Sequence, residues 1–237
     1  MYSSILKEIF FLANPDKACT KAKYFKNGKG EYGEGDIFIG LTNPEMHQIS
    51  KHYKNQLTFM DLQKLIENKT HEVRFVALTI LALQIRKVKT QTQIDEFAEF
   101  YFKNIQYVNN WDLVDCSCIP ILGPYFYQKK DRAKLFSLAK SGDLWSERIS
   151  IITTLYFIRK GDFSDTFKIL DILIHHKHDL IHKAMGWMLR EVWKKGGKEQ
   201  VEDYIRKNIK TIPRTMLRYA IEKMEEIERK AFLDLGK

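Results

Sequence analysis

An all-α fold is predicted by three features of this sequence. Only 12 Gly and 5 Pro punctuate 237 residues, fewer than a sandwich or barrel of many short strands needs for its turns. Apolar residues recur with the 3.6-residue period of a half-buried helix. Polar residues at the starts of these stretches spell capping boxes. At 44% apolar and 29% charged residues, the chain can bury a core. One domain is expected over 1–237, with an N-terminal helical subregion over 1–68 and repeats over 69–237.

The first stretch, MYSSILKEIFFLANPDKA, has an apolar run broken by Lys7 and Glu8, unlike the long apolar centre of a signal peptide. Residues 26–40 hold five of the twelve glycines. They lack the GK[ST] ending of a phosphate-binding loop, so the glycines are read as letting the backbone approach a partner closely. Helices are then expected to start at Thr42 with Glu45, at Thr58 with Asp61, and at Thr92 with Asp95; Pro44 suits the first turn of one of them. Over Thr70–Gln84, the positions Val73, Val76, Ala77, Ile80 and Leu81 form one helical stripe. The stretch Asn109–Asp115 opens a helix capped by Asn or Asp side chains, with Trp111 preceding it at its polar end. Ile149–Ile158 is rich in β-branched residues, but its neighbours are helical, so it reads as a buried helix.

Stacking these helices exposes a repeat. HEVRFVALTIL, WDLVDCSCIPIL, LWSERISIITTL, DLIHKAMGWML and TIPRTMLRYAI each begin polar and turn apolar at similar offsets. One column then reads Arg74, Asp115, Arg148, Lys183, Arg214, recurring every 31 to 41 residues. Such a period, with two helices per unit, suits a curved solenoid of HEAT-like helical pairs whose inner helices line a concave face. A cation in most repeats can track a phosphate backbone, and the formal charge of +9 points the same way. Basic residues early in a helix can equally well face solvent with no ligand. The solitary carboxylate, Asp115, fits that second reading poorly, because an acid repels a polyanion and needs a purpose.

Asp115 lies in or just beyond the first turn of its helix, where the macrodipole favours an ionised carboxylate. That suits it to stabilise a positive charge or to orient water. Asp112 reads only as a cap or first-turn residue. Trp111 precedes Asp115 by one turn, and Trp187 follows the column residue Lys183 by four, on one helical face. Two tryptophans beside a carboxylate could hold a sugar or a base; the alternative is that both anchor the core. Trp145 and Trp193 are read as packing residues. His175, His176, His178 and His182 cluster without the carboxylates or thiolates of a zinc site, and no metal is expected. Cys19, Cys116 and Cys118 suit neither a disulfide framework nor zinc, so reduced thiols and a cytoplasmic location are expected. The longest uncharged run, 116–128, contains Pro120 and Pro124 and is too short to span a bilayer.

Together, YFKNGKGEYGEGD (24–36), YVNNWDLVD (107–115), LWSER (144–148), KHDLIHKAMGWMLRE (177–191) and PRTMLR (213–218) resemble the AlkD family of HEAT-like-repeat DNA alkylation repair proteins, over nearly the whole chain. The resemblance implies a monofunctional DNA glycosylase excising N3- and N7-alkylated purines from double-stranded DNA, without cofactor or metal, as a monomer with no obligate protein partner. It places the family's catalytic aspartate on Asp115, its active-site tryptophans on Trp111 and Trp187, and its groove arginine on Arg148. Tyr24, Arg190, Arg214 and Arg218 sit where the family contacts DNA, and Lys183 is expected to meet phosphates from its place in the column. Thr42 departs from the pattern, since some relatives carry a larger polar residue there. A non-enzymatic DNA-structure-binding protein of the same fold is the alternative; a scaffold for an acidic protein partner is a third reading, with no use for Trp111 and Asp115.

Overall fold

The computed structural model describes residues 1–235 and is all-α. Among these residues, extended pairing is limited to one isolated bridge between Ile37 and Thr70. Among the described residues, no helix is long and apolar enough to cross a membrane. The chain forms two compact units, Met1–Tyr125 and a second running on from Phe126.

The first unit contains α1 (Tyr2–Phe11), α2 (Pro15–Tyr24), α3 (Asn43–Tyr53), α4 (Phe59–Ile66), α5 (His71–Gln84), α6 (Gln91–Lys103) and the start of α7 (Trp111–Gln128). The first two expected capping boxes form. Glu45 accepts from the Thr42 N–H at 2.6 Å, and the Asp61 N–H donates to Thr58 Oγ1 at 3.3 Å while Asp61 accepts from the Thr58 N–H. The third does not. Helix α6 starts two residues earlier, capped by Thr90, whose hydroxyl accepts the Gln93 N–H; Thr92 lies inside the first turn, and Asp95 instead accepts from Gln91. Two Thr residues lie at equivalent spacing from a polar partner, and the earlier one won.

Helix α5 also differs from its expected single stripe. Every residue from His71 to Ala82 is buried, because α3 and α4 both pack against it. Its charged residues are therefore buried too, and each needs a partner. Glu72 satisfies this by accepting the N–H groups of Ile39 and Gly40, at 3.1 and 3.0 Å, which ties down the end of the glycine-rich segment.

The second unit continues with α8 (Ala133–Ala139), α9 (Leu144–Thr153), α10 (Leu155–Arg159), α11 (Ser164–Leu173), α12 (Asp179–Lys194), α13 (Lys198–Lys207), α14 (Arg214–Ala220) and α15 (Glu226–Leu235). The β-branched stretch is helical and buried, divided at Thr154, whose hydroxyl donates to the Ile151 carbonyl at 2.7 Å. That back-bond bends helices. Helix α12 packs most extensively on α14. Gly186 permits it: a Cβ there would lie 2.4 Å from the Met216 carbonyl oxygen and 2.5 Å from Tyr219 Cβ.

Candidate functional site

The start of α7 presents two of the predicted residues together. Asn110 Oδ1 accepts the Trp111 N–H at 2.9 Å, turning the chain into the helix. Trp111 and Asp115 follow one turn apart, so they share a helical face, and both are half-buried. The indole of Trp111 lies flat on Phe25, with centroids 5.3 Å apart and planes 14° apart. Phe25 stacks in turn on Phe38, and Phe38 on the imidazole of His71. Tyr24, 65% exposed, meets the indole edge-on at 6.0 Å. The choice between a core anchor and a wall for Trp111 thus dissolves: one face is anchored by Phe25, yet the residue keeps part of its surface in solvent.

Beneath this stack lies a buried group of charges. His71, 0% exposed, places Nδ1 2.8 Å from Asp36 Oδ2 and Nε2 2.9 Å from Asp112 Oδ2. Arg74 donates to Asp36 Oδ1 at 2.6 Å, to Asn109 Oδ1, and to the carbonyls of Asn68 and Lys69. Asn109 donates to Asp36 as well. Burial pulls the His71 imidazole down, but the hydrogen bond and charge of Asp112, then those of Asp36, outweigh it and raise its pKa. Burial likewise pushes the Asp36 carboxyl up, and the His71 hydrogen bond and Arg74 charge override it, leaving it lowered.

Two expectations are corrected here, and a third residue set finds its place. Asp112 is more than a first-turn residue: it is buried, and it joins α7 to α5 through His71. Arg74 is no groove cation: at 4% exposure its charge is used on Asp36. The glycine-rich segment packs closely against its own chain. A Cβ at Gly33 would lie 2.4 Å from the Phe25 carbonyl oxygen and 3.3 Å from Asn110 Nδ2, so the loop fits between the aromatic stack and the start of α7. His71, Asp36, Phe25 and Phe38 were not singled out in the sequence. A histidine at the first position of a helix that is apolar beyond its first turn was the available signal.

In the second unit, Trp187 and Lys183 are half-buried on α12, and Lys183 pairs with Asp179 at 2.7 Å. Arg190 pairs with Glu222. Arg214 and Arg218 are exposed on α14, Arg214 donating to the Leu233 carbonyl. Arg148 is 5% exposed and donates to the Leu180 carbonyl at 2.6 Å, so it braces the first turn of α12 instead of standing in solvent. The histidines do related work. His176 Nε2 lies 2.8 Å from Glu147, and its Nδ1 accepts the His178 N–H. His178 Nδ1 accepts the Leu180 N–H, and His182 Nε2 meets the His176 carbonyl. These bonds build the entry to α12. Thr42 spends its hydroxyl on Glu45 and lines a hollow of about 340 Å³ with Lys17, Thr20 and Lys21.

A half-buried carboxylate one turn from an anchored indole can stabilise a cation bound against the ring. A thiol has no comparable role: burial, then the Asp112 charge, pushes the Cys116 thiol well above its usual range. Comparison with known proteins agrees with a nucleic-acid reading. A family model described as "DNA alkylation repair enzyme" matches residues 5–224. No curated protein matches the chain. Among solved structures, a "Predicted DNA alkylation repair enzyme from Enterococcus faecalis" aligns with a TM-score of 0.66 at 18% identity, covering 90% of this chain and 97% of that one. At that identity the likeness establishes a shared fold.

Proposed function

Since the chain belongs to the DNA alkylation repair enzyme family, we propose that it is a monofunctional glycosylase that hydrolyses the N-glycosidic bond of N3- and N7-alkylated purines in duplex DNA. The observation that carries this reading is the pairing of Asp115 with Trp111 on one face of α7, with the indole braced from behind by Phe25 and Phe38.

A purine alkylated at N3 or N7 already bears a positive charge, so it departs as a neutral base and needs no general acid. As the bond breaks, positive charge grows on the deoxyribose. An ionised Asp115 about 4 Å away, at an effective dielectric near 20, would lower the barrier by about 4 kcal/mol, on the order of a thousandfold in rate. The same carboxylate can orient the attacking water. Trp111 adds a cation–π contact of roughly 0.5–2 kcal/mol. In the second unit, Trp187 is assigned a second contact with the deoxyribose, and Lys183, Arg190, Arg214 and Arg218 contacts with phosphates. Arg148 serves by holding the Leu180 carbonyl. Tyr24 lines the edge of the Trp111 ring.

The test is Asp115→Asn, which preserves size and removes the charge. Undamaged duplex should bind as well as to the wild type or slightly better, because a repulsive charge is gone. The single-turnover release of 7-methylguanine should fall by about two to three orders of magnitude. Release at the wild-type rate would overturn the mechanism. Salt-dependent binding by a wild-type protein that frees no base would replace the enzyme with a DNA-structure-binding protein.

A further inference from the structure

We propose that His71 is a positioning residue for this site: held as an imidazolium between Asp36 and Asp112, it fixes the first turn of α7 and thereby aims Trp111 and Asp115. The proposal rests on the glycosylase reading for what is aimed at, though not for the geometry of the aiming.

Both ring nitrogens face carboxylate oxygens, at 2.8 and 2.9 Å. A neutral imidazole has one N–H and can satisfy one of them; its other nitrogen would then set a lone pair against an anion. The doubly protonated ring satisfies both. Its charge also balances the group, since His71 and Arg74 supply two cations against the two carboxylates of Asp36 and Asp112. A buried ionic group is tolerable when it is paired and hydrogen-bonded throughout. The raised pKa of His71 agrees with this state.

The connections run toward the site. Asp36 comes from the glycine-rich segment, His71 and Arg74 from α5, and Asp112 from the first turn of α7. Asp112 uses its other oxygen to accept the Leu113 N–H at 2.8 Å, so one carboxylate both closes the helix turn and grips the imidazole. Trp111 is the residue before it, and Asp115 follows by less than one turn. The imidazole is also the base of the ring stack, against Phe38 at 4.6 Å and Phe25 at 5.0 Å. The remaining charged neighbour on α5, Glu72, is turned to the N–H groups of Ile39 and Gly40. Loss of one His71 proton therefore leaves the imidazole able to hold only one of Asp36 and Asp112, and the tie between the glycine-rich segment and the start of α7 opens.

The experiment uses the full chain in three measurements. First, ¹⁵N NMR of the imidazoles at pH 6.5 should show both His71 nitrogens protonated; a singly protonated ring at that pH overturns the proposal. Second, His71→Gln should lower the single-turnover rate on 7-methylguanine duplex by roughly 30- to 300-fold while changing Kd for undamaged duplex by less than twofold, because binding does not require the aim. If that variant fails to fold, Asp112→Asn carries the same test with an expected loss of at least tenfold; a wild-type rate in a folded variant overturns the proposal. Third, the Trp111 indole N–H resonance, assigned with Trp111→Phe, should shift in the folded variant. That readout needs no turnover. If the wild-type protein releases no base, the glycosylase reading fails on its own, and an unmoved Trp111 signal would separately sink the role of His71.

Discussion

Asp112 shows how much a single residue's meaning depends on what the fold brings to it. In the sequence it is an acid near a helix start, and capping explains it fully. Its partner His71 lies 41 residues away, on a helix whose periodicity says only that it is buried, so no local pattern could link them. Asp115 and Trp111 were legible because their relation is local, four residues on one helix. The buried ring makes stability respond to pH. Its folded pKa is raised above the ordinary value near 6.5, so its contribution is fully present below about pH 6.5 and is lost as pH rises through the folded value. Thermal unfolding of the wild type should therefore occur at lower temperature as pH climbs from 7 into the alkaline range, and His71→Gln should flatten that part of the profile. Trp111→Ala should slow excision by roughly three- to thirtyfold. Because the indole also covers Phe25, the same change should cost about 1–2 kcal/mol in denaturant unfolding. A larger loss with unchanged excision would return Trp111 to the core.

At the scale of elements, local signals served well wherever the partner sits within one turn. The caps at Thr42 and Thr58 were readable because both partners lie three residues apart, and the β-branched stretch 149–158 was read as helix because its neighbours are helical. The cap at Thr92 was misplaced because a rival threonine offered the same chemistry two residues earlier. Helix α5 exceeded its predicted stripe because two helices pack on it, which the period of one segment does not reveal. Gly186 is the element-scale counterpart of a core side chain. Gly186→Ala puts a methyl into the Met216 carbonyl, and separating α12 from α14 to admit it should cost about 1–3 kcal/mol. Equilibrium denaturation would check this, with Gly142→Ala as a contrast, where a Cβ meets nothing within 4 Å and the cost comes from the left-handed backbone alone.

For the whole molecule, the class of fold was legible from scarce glycine and proline and a helical period. The row of cations was legible as charge but not as surface. Two of its four cations, Arg74 and Arg148, are buried, since the position that begins each apolar face can as readily turn inward toward a buried acid or carbonyl. A salt series tells surface cations from buried ones. If about four phosphates are neutralised, log K should fall against log salt with a slope of roughly −3 to −4. Arg218→Ala should make that slope shallower by about one. Arg74→Ala should leave the slope alone and lower stability by about 1–3 kcal/mol, because Asp36 loses one of its charged partners while keeping His71 and Asn109. Filter binding across a salt series, beside unfolding curves for both variants, separates the two roles.

The contact at Gly186 has a mechanical consequence. Trp187 rides on α12 next to it, and Arg214 and Arg218 ride on α14 opposite. Where two helices meet through long side chains, rotamers let the spacing give. Here they meet backbone to backbone, so nothing can yield by rotating. What is fixed is the spacing of the two helix backbones, like the frame of a vice. The exposed Arg214 and Arg218 side chains can still turn on that frame, so any fitting to a bound partner falls to them and not to a sliding of α12 on α14.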